Sequence, residues 1–127
     1  MVVPRAQRLL QRGPLGTVEY AIRLNEKMEA KEWLERQSVT KQASFDQMFR
    51  VTVTHGRITN WEKFKQLRDE VYEFKHGGDR LFCVKSGSRY LLTHRKAKSN
   101  LKNYNADINR AKEIGAEHAT YESRNNQ

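Results

Sequence analysis

Three alternating apolar runs joined by glycine turns constrain this chain more than any other feature. Glu70-Val-Tyr-Glu-Phe-Lys75 alternates Val71 and Glu73 with Tyr72 and Phe74. Arg80-Leu-Phe-Cys-Val-Lys85 and Arg89-Tyr-Leu-Leu-Thr-His94 come next at hairpin spacing. The links are His76-Gly77-Gly78-Asp79 and Ser86-Gly87-Ser88, and paired glycines tolerate the positive φ that tight hairpins demand. The pattern predicts a meander of three antiparallel strands, on which the rest of the chain must pack.

Upstream, Thr17-Val-Glu-Tyr-Ala-Ile-Arg-Leu24 sets Val18, Tyr20, Ile22 and Leu24 against polar neighbours, which predicts a strand with one buried face. Ala30, Trp33, Leu34 and Gln37 recur at helical spacing over Glu29 to Gln37. Phe45, Met48, Phe49 and Thr52 do so in a second helix, although Val51-Thr-Val53 carries strand propensity. Ser38 or Thr40 can cap that helix, and Gly56 can stop it. Two helices with a three-residue break also fit a helix-turn-helix. The second helix, however, would present Lys41, Gln42, Asp46 and Arg50, which is no basic surface, so an αα-hairpin packed on the sheet is expected. A last helix runs from Asn103 or Asn105 with Ile108, Ala111, Lys112 and Ile114 on one side, loosening near Gly115.

The order strand, helix, helix, three strands, helix predicts an α+β domain: an antiparallel sheet carrying two N-terminal helices and one C-terminal helix. A chain of 127 residues supports one such core, with two Trp, five Phe and five Tyr as bulk. Trp33, Phe45, Phe49, Leu81 and Leu92 are expected inside. The domain is expected over 16–120. Residues 1–15, broken by Pro4, Gly13 and Pro14, read as an N-terminal arm, and 121–127 as a polar tail.

Charge narrows the function. Net charge is +9, from 24 Lys and Arg against 15 Asp and Glu. Residues 74–112 hold ten basic groups against only Asp79 and Asp107, so nearly the whole excess sits in the meander and the segment after it. That concentration is the footprint of a polyanion site, whereas a merely solubilising excess would be diffuse. The meander can gather Lys75, His76, Arg80, His94, Arg95, Lys96 and Lys98 at one end of the sheet, with Lys102 and Tyr104 just beyond.

Several chemistries drop out. Cys83 is the only cysteine, which excludes an intramolecular disulfide framework and a multi-cysteine zinc site. No Gly-x-Ser-x-Gly elbow, phosphate-binding loop or dinucleotide fingerprint occurs. His55, His76, His94 and His118 lack metal-ligand spacing, and Asp79 with Glu73 makes only a weak acid pair, so no metal or cofactor is expected. No apolar run reaches membrane-spanning length and Met1-Val-Val-Pro-Arg5 lacks a signal's apolar region, so a cytoplasmic chain is expected.

Clustered cations suit metal-independent RNA cleavage, in which the 2′-OH attacks the adjacent phosphate. That reaction needs a base for the hydroxyl, cations around the pentavalent phosphorus and an acid for the leaving 5′-oxygen. Arginine's planar fork binds two phosphate oxygens at once, and an aromatic residue lets an unpaired base stack.

Four segments carry a resemblance: Lys65-Gln-Leu-Arg-Asp-Glu-Val-Tyr-Glu-Phe-Lys75, Arg80-Leu-Phe-Cys-Val84, Leu91-Leu-Thr-His-Arg-Lys-Ala-Lys-Ser99 and Ile108-Asn-Arg-Ala-Lys112. Together they resemble the RelE/ParE toxin superfamily, nearest its HigB-like, phage-associated branch. The likeness covers about residues 63–115; over 17–60 only element order and helix lengths agree, and 1–15 have no counterpart. It implies a RelE-like fold and the toxin of a type II toxin-antitoxin system: an mRNA interferase, an endoribonuclease that cuts mRNA on the ribosome, inhibits translation and is neutralised by a cognate antitoxin. By motif, Lys75 and Arg80 fall at phosphate-binding positions, Arg95, Lys96 and Lys98 on a basic final strand, and Tyr104 at a base-stacking position. His94 stands where the family usually has an aromatic, and Ala97 interrupts the usual basic pair. The expected catalytic set is Lys75, Arg80, His94, Arg95 and Lys98, with His94 or Lys75 as the base, and His76, Lys96, Lys102 and Tyr104 are expected to contact RNA. The rivals are a same-fold toxin that poisons DNA gyrase and a non-catalytic module that binds nucleic acid or antitoxin. Arrest of translation marks the RNase, DNA damage marks the gyrase poison, and harmless expression marks the non-catalytic module.

Overall fold

The computed structural model describes residues 2–56, 63–100 and 102–125. Along them run α1 (Arg5–Arg8), β1 (Leu9–Gly13), β2 (Gly16–Tyr20), α2 (Glu29–Leu34), α3 (Val39–His55), β3 (Phe64–Gln66) and β4 (Val71–His76). Then come β5 (Asp79–Ser86), β6 (Arg89–Ala97), a 3-10 turn at Lys98–Asn100, and α4 (Tyr104–Arg124). The class is α+β, and the strands make one six-stranded sheet in the order β1-β2-β6-β5-β4-β3. No helix among the described residues is long and apolar enough to cross a membrane.

The meander forms where the alternation places it. β4 and β5 pair antiparallel with Lys75 opposite Arg80 and His76 opposite Asp79, and Gly77 supplies the positive φ of the turn. The sheet is not wholly antiparallel, which corrects the expectation. Thr17 to Tyr20 of β2 run parallel to Arg89 to Leu92 of β6, because the chain passes through α2, α3 and the other strands before β6 returns beside β2.

Residues 1–15 are no arm. Gly13 pairs with Gly16 across a tight turn, which makes β1 an edge strand against β2, and the Arg8 side chain is fully buried. The expected polar tail also differs, since α4 continues to Arg124 and buries Tyr121 and Glu122. Gly115 does not loosen that helix. It faces the Val84 side chain within an unbroken α4.

Two cores sandwich the sheet. On one face Val18, Tyr20, Phe45, Phe49, Phe74, Leu81 and Leu92 pack under α2 and α3. On the other, Val71 and Phe82 meet Ile108 and Ala111 of α4. Of the residues expected inside, Phe45, Phe49, Leu81 and Leu92 are buried and Trp33 is half-buried; the second tryptophan, Trp61, lies outside the described residues. Ser38 caps α3 by accepting from the Lys41 N–H, and Gly56 ends it at positive φ. The apolar face against the sheet holds Val51 to Val53 helical despite their strand propensity.

Candidate functional site

Register decides which cations meet. Lys75 lies opposite Arg80 and Arg80 opposite Lys96, so three cations from three strands share one rung on the α4 face, about 5 Å apart at their Cβ atoms. The next rung inward holds Lys65, Glu73, Phe82 and His94. Lys96 reaches this face through a bulge. Cys83 pairs with Leu92 and Phe82 with His94, so Thr93 has no strand partner and the side-chain alternation flips beyond it.

Glu73 lies at the centre of the cluster and is fully buried. Its Oε1 accepts from the Tyr104 hydroxyl at 3.0 Å and sits 3.9 Å from Lys75 Nζ. Its Oε2 is buried without a hydrogen-bond partner among the described residues. Burial raises the Glu73 carboxyl above its ordinary range, against the opposing pull of Tyr104, Lys75, Arg80 and Lys65. A carboxyl under cations with its proton affinity raised is equipped to take a proton, and the Tyr104 hydroxyl bonded to it is the route from the surface.

Arg80 is oriented by its own turn. Its Nη1 donates to the carbonyls of Gly77 at 2.9 Å and Asp79 at 3.0 Å, and the guanidinium also bonds to the Tyr104 oxygen. Tyr104, just over a third exposed, meets Phe82 edge-on. Burial and the Glu73 charge raise its hydroxyl, so it stays a neutral donor.

The other expected site residues separate. His94 is buried, stacked on Phe82 at 4.8 Å, with Nε2 bonded to Asp107 at 3.0 Å and Nδ1 beside the Thr93 hydroxyl. Burial lowers its pKa against the opposing pull of Asp107. It anchors the first turn of α4 to β6 and does not reach the open rung. Arg95 points to the opposite face, where Nε and Nη2 bind Asp79 at 3.0 and 2.6 Å and the guanidinium stacks on Trp33. His76 is on that face too, against Phe45. Lys98 and Lys102 are exposed on the segment leading to α4.

Sequence reasoning passes over Lys65 and weighs Glu73 only as a weak acid partner of Asp79, which the structure places on the opposite face. Charge summed along the chain hides Lys65 inside a segment of zero net charge, whereas charge summed across rungs exposes it. The signal for Glu73 is present, because it occupies an inward position between Val71 and the cations, where an unpaired acid is costly.

No protein-family model matches the sequence, and no curated protein is significantly similar to it.

Proposed function

We propose that this chain is a metal-independent endoribonuclease of RelE-like type, acting in the cytoplasm on translated mRNA as a toxin held in check by a cognate antitoxin. One observation carries the reading: Lys75, Arg80 and Lys96 share a rung directly above a buried, half-satisfied Glu73 that is bonded to Tyr104.

In this reading a phosphodiester lies on the rung, with two of its oxygens held by the Arg80 fork and Lys96. Glu73 is fully buried, so it takes the proton through the part-exposed Tyr104: the Tyr104 hydroxyl gives its proton to Glu73 Oε1 and receives that of the 2′-OH as O2′ bonds to phosphorus. The P–O5′ bond breaks and O5′ takes a proton from the Lys75 ammonium. The products are a 2′,3′-cyclic phosphate and a 5′-hydroxyl. The role of base passes from His94 to Glu73, because both ring nitrogens of His94 are engaged whereas Glu73 is bonded to the part-exposed Tyr104 hydroxyl.

Purified protein incubated with single-stranded RNA and a chelator should yield those two ends, and a 2′-deoxy nucleotide at the cut should block the reaction. A cleavage map of mRNA from induced cells should show breaks within translated regions. Intact RNA in both experiments would defeat the reading.

A further inference from the structure

The sheet's cationic end continues into a pocket that the cleavage chemistry does not use. Thr40, Ala43, Ser44 and Gln47 lie along one side of α3 and face Lys63, Lys75 and His76, with Met48 as floor, around a cavity of about 570 Å³. Consecutive strand residues point to opposite faces, so a pocket lined by both Lys75 and His76 wraps around the end of β4. Lys75 therefore belongs to the cationic rung on one side and to this pocket on the other.

The lining is chemically particular. Met48 and Ala43 offer an apolar surface. The Gln47 amide and Thr40 hydroxyl have no hydrogen-bond partner among the described residues, and the Ser44 hydroxyl bonds only back to the Thr40 carbonyl. The His76 ring leans on Phe45 at 5.6 Å, and its Nδ1 is buried without a partner among the described residues. Lys63 brings a cation to the sheet side, while Lys75 lines the pocket with its ammonium turned toward Glu73 on the other face. This combination fits a flat heteroaromatic group with donors and acceptors at its edge, tethered to a phosphate: a nucleobase. The volume is of the order expected for a small-molecule site.

We infer that this pocket receives one unpaired nucleobase of the RNA whose phosphate lies on the Lys75–Arg80–Lys96 rung, with Gln47 and Thr40 reading its edge. The inference rests on the RNase reading and names the part of the substrate that gives it base preference. An amide with both a donor and an acceptor pairs differently with each base edge, so the pocket discriminates where the cationic rung does not.

The test uses the full chain with short single-stranded RNA homopolymers of A, C, G and U. Ser44→Trp fills the pocket from a half-buried helix position, and Gln47→Ala removes the reading group. Ser44→Trp should weaken binding of the preferred homopolymer roughly ten- to hundredfold, the usual worth of one bound base. Gln47→Ala should level the differences among the four RNAs, with thermal melting unchanged in both variants. If wild type binds and cuts RNA but both variants keep its affinity and base preference, the pocket assignment is wrong. Wild-type protein that neither binds nor cuts RNA defeats the RNase reading itself, and the pocket assignment falls with it. Unchanged RNA binding by Ser44→Trp, together with lost inhibition by the antitoxin, would give the pocket to a protein side chain instead.

Discussion

The Tyr104 hydroxyl donates a 3.0 Å hydrogen bond to Glu73 Oε1, tying the first turn of α4 to the middle of β4 at the one carboxylate beneath the cationic rung. Function and stability oppose each other at that carboxylate. With its folded-state pKa raised above 4.5, Glu73 favours folding only while protonated, and ionisation inside the fold costs stability as pH rises through the raised value. Glu73→Gln should therefore melt above wild type at neutral and alkaline pH. Its cleavage rate should fall by about 10²–10⁴, the usual worth of a general base. Wild-type cleavage should climb as pH rises through that same pKa. A variant that melts lower and still cuts RNA would remove Glu73 from the reaction.

The rung itself is tested by Lys96→Ala and Arg80→Lys. Each removes a donor aimed at the phosphate, and the expected loss is ~10²–10³ in rate for Arg80→Lys and somewhat less for the more exposed Lys96. Arg80→Lys keeps the charge but lacks the planar fork, so its loss measures bidentate geometry and not net charge. Circular dichroism should show both variants folded, and added chelator should change neither the variants' rates nor wild type's.

His94 tests whether a buried group acts through position. Nε2 holds Asp107, three residues after Tyr104 in α4, so His94 fixes where Tyr104 meets Glu73. His94→Gln should cost about tenfold or less in rate and leave the acid limb of the pH–rate profile in place. Were His94 the base, the loss would be far larger and that limb would vanish.

How much of the fold and the site is legible in the sequence depends on how local each signal is. The hairpin at Gly77-Gly78 and the cap at Ser38 are decided by a few adjacent residues, and both form where the sequence places them. Lys75 against Arg80 is fixed by the same turn. Lys96 on their face, with Arg95 on the other, depends on the bulge at Thr93, which no residue pattern announces. β1 escapes because Gly13 and Pro14 read as breakers although they form its turn with β2. Its burial depends on partners far along the chain, with Arg8 meeting Glu122 across the fold. Which strand neighbours β2 is likewise a property of the closed sheet and not of any segment.

That long-range contact supports the last prediction. Glu19 is fully buried and accepts paired bonds from both Arg5 and Arg89, plus one from the Thr17 hydroxyl. Arg89 also reaches both oxygens of Glu122, which Arg8 joins. Burial alone would raise both carboxyls, but the guanidinium bonds prevail. They hold Glu19 well below the usual range and Glu122 at about 2. His118 stands beside this network, its Nδ1 accepting the Ile22 N–H at 3.0 Å and its Nε2 3.2 Å from Glu122. Burial lowers its pKa to about 4, with Arg8 and Arg89 pulling the same way and Glu122 and Glu19 opposing. All three groups bind protons more weakly in the fold than in the unfolded chain, so the stability they contribute is present at high pH and lost as pH falls. For His118 the loss runs from 6.5 down to about 4, and for Glu122 from 4.5 down to about 2. Glu73 and His94 act in the same upper window in wild type and variant alike, so denaturant titrations should show His118→Gln losing less stability than wild type between pH 6.5 and 4. Arg89→Ala should cost about 2–3 kcal/mol at neutral pH. That is below the ~3–5 of a fully buried pair, because 24% of the Arg89 side chain meets water. A His118→Gln variant whose stability changes between pH 7 and 4 just as wild type's does would show that His118 carries no such linkage.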